Sequence, residues 1–435
     1  MRILIEFVDA VAVNNIAATM ILRPDKVYFL GKDDVAESAR LRNWCRDFQN
    51  ICRKHDLEID MEYWPISENS VEMALAEMNA LLSELNLDRN PKAPGLHPDA
   101  ESEIYIDIRG GREVPIFVAG QVFGSLNRND IKLVQPNGVT GDIDIMNVGQ
   151  VGGRGWERYA VSSVEMPFQI SVKEYVALYG GNLFDTGIVL EREDKELNAG
   201  IESLWKVCKE DPERWNRNLV AAVRTSSNPS ETEKENIDIL LGQLKEYKLL
   251  LPVRKGNKSE NKSEIYSQKE QILLDRYKLM FAPAMREILN DVFILPGRAL
   301  EYYVALTVWR ILRKYKKVNQ VVTGAKIDLD GKMQPDGKAL GAFNEVDVMC
   351  MAGVRPVFIS CKSGDISGES YKLSNVSQRL SGDHGISVLV SGKSLGISEV
   401  LWDRFEKDHI IAVDDVFHLQ NEDFLSRIED ILVGV

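Results

Sequence analysis

The chain has 435 residues, 44% hydrophobic and 27% charged, with a formal net charge of −13. That length predicts two or three domains with ample chain to bury their cores. The acidic balance argues against a protein that coats long nucleic acid electrostatically, though not against one that engages a short strand in a locally basic cleft.

No apolar run approaches a membrane span, and Met1-Arg2-Ile3-Leu4-Ile5 starts a strand rather than a signal peptide, so a cytoplasmic protein without membrane contact is expected. In chain order, residues 2–8 read as a buried strand, 13–22 as a helix and 26–30 as a second strand. A helix over 35–54, a strand over 57–63 and a helix over 70–85 follow. Beyond a loop at 90–98 come a strand at 103–108 and a helix from 115 to 123. Strands alternating with helices predict a doubly wound α/β unit of Rossmann type over residues 1–180. Such sheets bind ligands at the carboxyl ends of strands, where strand order switches.

Two loops stand at such ends. Val8-Asp9-Ala10-Val11-Ala12-Val13-Asn14-Asn15 follows the first strand, and Arg109-Gly110-Gly111-Arg112-Glu113 follows the strand at 103–108. Paired glycines let backbone N–H groups approach a phosphate, and the arginines add donors and charge. Taken by itself, R-G-G-R is also an ordinary turn. The absence of G-x-G-x-x-G after the first strand speaks against a dinucleotide coenzyme, and the absence of G-x-x-x-x-G-K-[ST] removes a P-loop NTPase.

Strand-like pieces at 141–147 and 158–164 flank a glycine-rich stretch at 148–156 that reads as a turn or hairpin tip. From about 193 the pattern turns helical, at 195–208, 216–225 and 231–247, before a strand at 249–253 and a polar stretch at 255–263. Helices followed by strands joined by a polar loop predict a winged-helix-like segment over 181–290. Its lysines would contact nucleic acid, or the segment is a spacer with a solvated tip; the acidic helices favour the spacer. A helix over 268–289, broken at Pro283, leads into a third unit at 291–435.

There Pro296-Gly297-Arg298-Ala299-Leu300-Glu301 opens a helix running to about Lys317. The basic run at its end, 309–317, reads as cations complementing a helix C-terminus, ahead of substrate contact. Residues 343–364 then form a hairpin pattern about Ala352-Gly353-Val354-Arg355. A turn symmetric about 353–354 sets Asp347 opposite Ser360 and Glu345 opposite Lys362, on one sheet face. Val346, Val348, Ile359 and Cys361 fill the other as core. Two carboxylates, a hydroxyl and an ammonium in one patch suit a metal-bound water attacking a phosphodiester. A helix at 371–380, from which Lys372 and Gln378 lie within reach of the cleft, a strand at 386–391, a helix at 398–407, a strand at 410–413 and a helix at 423–432 complete the unit. The five cysteines and five histidines show no metal-ligand spacing, which leaves little support for zinc.

The hairpin resembles the PD-(D/E)XK restriction-endonuclease-like family. Asp347 matches its first acid and Lys362 its lysine, whereas Ser360 stands where the family has a second acid, with Glu345 the nearest replacement. Cys361 stands at the x position, whose carbonyl touches the metal in that family, and Glu301 matches the glutamate of the preceding helix. The resemblance implies an α/β/α nuclease holding Mg2+ or Mn2+ through Asp347, Glu301, Glu345 and Cys361, with Lys362 and Ser360 in the catalytic patch.

A Rossmann-like unit fused to such a nuclease looks like the CRISPR-associated Rossmann-fold (CARF) ancillary nucleases. Gly110 and Gly111 match the glycines of that group's ligand loop, while Arg112 and Glu113 depart from its threonine and lysine. Residues 172–180 and 359–364 also resemble the group. The resemblance implies a homodimer that binds a cyclic oligoadenylate, most simply cyclic tetra-adenylate, through Asp9, Asn14, Asn15, Arg109, Gly110, Gly111 and Arg112. It would then cut DNA or RNA in type III CRISPR antiviral defence. Two other classes remain: a winged-helix transcription regulator with an inactive nuclease fold, and a restriction or repair nuclease without a cyclic-nucleotide gate. Metal-dependent cutting separates the first reading from the regulator, and an activator requirement separates it from the ungated nuclease.

Overall fold

The computed structural model describes residues 1–8, 12–32, 34–85, 87, 103–126, 128, 130–136, 143–147, 156–159, 170–224, 230–253, 277–329, 344–353, 355–364, 366, 368–382, 385–396 and 399–433. Asp9, Val354, most of the glycine-rich stretch at 148–156, the polar stretch at 255–263 and the helix expected at 268–276 lie outside them.

In β1 (Arg2–Phe7) alternate side chains enter two different cores, as a strand covered on both faces requires. Ile3, Ile5 and Phe7 point one way, and Leu4 points the other, with Glu6 beside it. The chain continues through α1 (Ala12–Leu22), β2 (Lys26–Lys32), α2 (Val35–Lys54), β3 (Asp60–Ile66), α3 (Val71–Glu84), β4 (Glu103–Asp107), α4 (Glu113–Ser125) and β5 (Ile131–Pro136). The strands line up as β3-β2-β1-β4-β5, all parallel, and β6 (Ile143–Asn147) and β7 (Trp156–Tyr159) extend the edge antiparallel. Residues of α1 and α2 cover one face and residues of α3 and α4 the other. This is the doubly wound order expected from the sequence. It reverses between β1 and β4, so the crevice opens at the carboxyl ends of those strands.

The short helix α5 (Val172–Leu178) ties this sheet to the next. Ser171 and Glu174 start it with a reciprocal capping box. Its Val172, Tyr175, Val176 and Leu178 lie in one continuous core with Leu4 and Phe29 of the first sheet and Met349, Phe358 and Leu389 of the second. The Tyr175 hydroxyl donates to the carbonyl of Leu380 at 2.8 Å, and His55, just after α2, faces Glu174 at 3.4 Å.

Beyond α5 come the short strands β8 (Asn182–Asp185) and β9 (Val189–Leu190), ahead of the stretch expected to be helical. Helices α6 (Lys195–Glu210), α7 (Pro212–Arg224) and α8 (Glu231–Glu246) follow, then β10 (Leu250–Pro252) and β11 (Leu279–Phe281). The helix read across 279–281 is overturned: Leu279–Phe281 pairs antiparallel with Leu250–Pro252 and buries Leu279 and Phe281. Pro283 also biases the residue before it toward extended backbone. A 3-10 turn leads to α9 (Arg286–Ile294) and α10 (Arg298–Lys314).

The second sheet is built from β12 (Val321–Asp328), β13 (Asn344–Ala352), β14 (Arg355–Lys362), β15 (Ile386–Ser391) and β16 (Ile410–Val413). It is interleaved with α11 (Glu369–Ser381) and α12 (Glu399–Lys407) and closed by α13 (Asn421–Val433). Its order is β16-β15-β14-β13-β12-β8, with β9 also on β12. The β14, β15 and β16 strands run parallel, and the rest are antiparallel. Helix α10 is buried along most of its length between this sheet and α6. Trp205 of α6 stacks on Tyr303 of α10 at 4.6 Å, an aromatic pair contributing about 0.5–1.5 kcal/mol beyond its buried area.

The basic end of α10 is engaged within the fold. Arg310 binds Glu202, Arg313 binds Glu193 and Lys314 binds Glu429. Among the described residues, no helix is long and apolar enough to cross a membrane.

Candidate active site and ligand crevice

β13 and β14 pair from Val348↔Ile359 to Ala352↔Arg355, the register expected from a turn centred on 353–354. Just beyond this ladder, Asp347 turns its carboxylate onto β14. Its Oδ2 accepts from the backbone N–H of Cys361 at 2.7 Å and from the Ser360 hydroxyl at 3.1 Å, and lies 3.6 Å from Lys362 Nζ. Val348, Ile359 and Cys361 are buried together as expected, whereas Val346, also buried, packs into the other core with Met349 and Phe358. Burial pushes the Asp347 carboxyl above its ordinary range, although Lys362, the Cys361 N–H and Ser360 all favour its charged form. For Lys362, burial opposes the charge, but Asp347 and Glu369 outweigh it and hold the ammonium above its usual value.

Glu301 arrives from the first turn of α10. Its Oε2 is cut off from solvent and accepts no hydrogen bond, with Arg298 the cation at 3.8 Å. Burial, then the charge of Asp347, raises its pKa to about 8. A buried carboxylate oxygen with no donor is costly unless something compensates it.

Glu345 behaves differently from the expectation. Its Oε1 accepts from Arg298 at 3.0 Å, and it pairs in register with Lys326 of β12. The acid that meets Lys362 is Glu369, which the sequence reading passed over. α11 begins two residues earlier than expected, after Gly368 takes a left-handed φ of 81°. Glu369 Oε2 lies 3.3 Å from Lys362 Nζ and 3.4 Å from the Ser360 hydroxyl, while its Oε1 accepts from Lys372 at 2.8 Å. Lys372 thus borders the patch through an acid.

The donor chemistry suits a hard divalent cation: carboxylate oxygens, one of them buried and unbonded, beside a lysine. Among the described residues, no three carboxylate, histidine or cysteine side chains already converge tightly enough to hold a metal ion, and Lys362 stands between Asp347 and Glu369. All five cysteines are free and buried.

At the crevice of the first sheet, Asp107 Oδ1 accepts from the backbone N–H of Arg109 at 2.8 Å and so fixes the start of the Gly-Gly loop. Gly111 has φ 89°, and a Cβ there would sit 2.4 Å from the Cβ of Phe7. Arg112 is exposed, with Glu68 at 4.0 Å. Asn15, expected to face a ligand, is buried. Its amide donates at 2.9 Å to both Glu6 Oε2 and the Phe7 carbonyl, because this side of α1 packs onto β1. The Asn14 side chain and Asp9 fall outside the described residues.

Glu6 is the crevice residue that the sequence hid inside an apolar strand. It is fully buried, receives the Asn15 amide and the Thr19 hydroxyl, and lies opposite Asp107 in the β1–β4 register. Burial, and then the charge of Asp107, raises its pKa well above 4.5. The folded chain therefore keeps a proton that the unfolded chain releases, so this group costs nothing below about pH 4.5 and lowers stability as pH rises beyond it. Glu6→Gln should remove that slope. Its Tm relative to the parent should rise as pH climbs above 4.5 in thermal melts, and a flat difference would count against a raised Glu6 pKa.

Two sheets, one doubly wound and one mixed with a carboxylate–lysine hairpin, joined through one shared core, define the class of this protein. No protein-family model and no curated protein matches the chain. Solved structures do match. The whole chain shares its fold with protein VC1899 from Vibrio cholerae, at 14% identity, 97% of that chain and a TM-score of 0.66. It also shares it with Can2 from Sulfobacillus thermosulfidooxidans, solved in complex with cyclic tetra-adenylate, at 12% identity, 99% of that chain and a TM-score of 0.58. At such identities the likeness carries the fold, and the expected architecture is the one found.

Proposed function

We propose that the chain is a metal-dependent nuclease whose activity is switched on by a cyclic oligoadenylate, most simply cyclic tetra-adenylate, in type III CRISPR antiviral defence. The observation that carries this reading is the Asp347–Lys362 pair beside the buried Glu301 oxygen that accepts no hydrogen bond, in a fold shared with a protein that holds cyclic tetra-adenylate. Asp347 and Glu301 would hold Mg2+ or Mn2+. The cation would supply an activated water and a Lewis acid for the phosphodiester. The Cys361 N–H orients Asp347, and Lys362 steadies the charge that develops on the scissile phosphate. Arg298 neutralises Glu345 at the rim.

On the ligand side, Arg109, Arg112 and the N–H groups around Gly110 and Gly111 would meet phosphates. A cyclic tetranucleotide has approximate two-fold symmetry, so it would lie across the axis of a homodimer and meet the same loop from each protomer. An effector shifts an equilibrium only by its differential affinity for two states. The continuous core through α5 and the Tyr175–Leu380 bond give the two sheets a common element to bias.

The test is to incubate the purified protein with labelled single- and double-stranded DNA and RNA, Mg2+ or Mn2+, and cyclic tri-, tetra- or hexa-adenylate. Cutting is expected only when metal and one ring size are both present. Cutting without activator would favour the ungated nuclease, and none under any combination would overturn the reading. In calorimetry, Arg109→Ala/Arg112→Ala should weaken cyclic tetra-adenylate binding by roughly tenfold or more, since charge-assisted hydrogen bonds contribute about 1.5–3 kcal/mol each. Unchanged affinity would remove this loop from the ligand site.

A further inference from the structure

We propose that Glu369 supplies the carboxylate that Ser360 lacks, so that Asp347 from β13, Glu301 from α10 and Glu369 from α11 together make the divalent-cation site. This rests on the nuclease reading above and names the acid that would complete its site.

Three observations converge. First, Asp347 Oδ2 and Glu369 Oε2 approach the same Ser360 hydroxyl, at 3.1 and 3.4 Å. A hydroxyl has one proton and can satisfy only one of them at a time. Two carboxylates meeting over an uncharged residue occupy the space that a longer acidic side chain at position 360 would fill. Second, Lys362 Nζ stands within 3.6 Å of Asp347 and 3.3 Å of Glu369, so a cation already bridges the pair. Third, the buried Glu301 oxygen accepts no hydrogen bond and lies in the field of Asp347, with Arg298 the cation at 3.8 Å. A hard cation drawing on oxygens from all three would resolve each of these at once.

Glu345 fits the role poorly. Its carboxylate is bound by Arg298 at 3.0 Å, so its charge is compensated within the protein, while Lys326 on the neighbouring strand is taken by Asp185 at 2.6 Å. Glu369 is reached instead by geometry local to the helix: the left-handed turn at Gly368 places it in the first helical turn, pointing back over the end of β14.

The experiment titrates Mn2+ alone into the full chain by calorimetry, without activator or nucleic acid. Glu369→Gln should weaken Mn2+ binding by at least roughly tenfold, a loss that even supporting residues of metal sites commonly produce. Glu345→Gln should stay within about twofold of the parent on the same scale. Ser360→Asp introduced into Glu369→Gln should recover much of the loss, because it returns an acid to the hairpin. Glu369→Asp keeps the charge and a good helix start but shortens the reach, and should fall between parent and Glu369→Gln. Circular-dichroism melts establish that each variant folds. Unchanged Mn2+ affinity in folded Glu369→Gln and Glu369→Asp, an equal loss in Glu345→Gln, or no Mn2+ binding by the parent would each overturn the assignment. A protein that binds Mn2+ through Glu369 yet cuts no nucleic acid would sink the nuclease reading and leave this one standing.

Discussion

Asp347→Asn and Lys362→Met should each slow activated phosphodiester cleavage by roughly 10²–10³-fold, with cyclic tetra-adenylate affinity unchanged. Asparagine is the sharper replacement at 347. Its side-chain oxygen can still accept from the Cys361 N–H, which alanine would leave buried without a partner at a cost of about 1–3 kcal/mol. Loss of activity in Asp347→Asn then reports on the negative charge rather than on a collapsed hairpin. Methionine at 362 keeps the apolar stem and removes the ammonium that stands between Asp347 and Glu369. Those two acids then repel with only Lys372 left on Glu369 to offset them, so the Lys362→Met variant should also lose Tm at neutral pH and recover part of it when Mn2+ is added. Initial rates at saturating activator and metal, with calorimetry for the ligand, decide the matter. Wild-type turnover by a folded Asp347→Asn variant would remove Asp347 from the site.

The first sheet was legible because its strands and helices announce themselves by period: Ile3, Leu4, Ile5 and Phe7 in one run, then amphipathic stretches between the strands. Sequence alone also set the hairpin register, since Gly353 and the alternation on either side admit one centre. Short elements were harder. A two-residue strand such as Val189–Leu190, or Leu279–Phe281 beside a proline, has no period to read, and only its partner on another strand gives it a structure.

The site was legible where the spacing is local and obscure where the chain folds back. Asp347 and Lys362 lie on one hairpin, so alternation places them together. Glu369 enters through the turn at Gly368, and Glu345 is withdrawn by Arg298 from a different element; neither event leaves a mark on the strand pattern. Glu6 is hidden in the same way. A lone acid within Ile-Leu-Ile-Glu-Phe reads as core, and its partners Asn15, Thr19 and Asp107 come from two other segments.

The ligand crevice has its own decisive residue in Gly111, and Gly111→Ala should raise the activator concentration for half-maximal cutting by roughly ten- to a hundred-fold. The backbone there has φ 89°, where a side chain costs about 1–3 kcal/mol, and each 1.4 kcal/mol expressed in binding is tenfold. The added methyl also meets the Cβ of Phe7 at 2.4 Å, a carbon fixed to β1 that cannot rotate away. The loop must therefore lift from the end of β1, carrying Arg112 and the neighbouring N–H groups off the crevice, while Asp107 still holds the Arg109 N–H at its start. Gly180→Ala is the matching control. It has a similar φ of 76° but nothing within 4 Å of the new methyl, and it lies after α5 rather than at the crevice. It should lose about 1–2 kcal/mol of stability and no ligand affinity. Mn2+ binding should survive in both variants, since neither touches the second sheet's carboxylates. Calorimetry with cyclic tetra-adenylate separates the two, and parental affinity in a folded Gly111→Ala variant would mean that the Gly-Gly loop does not hold the ligand.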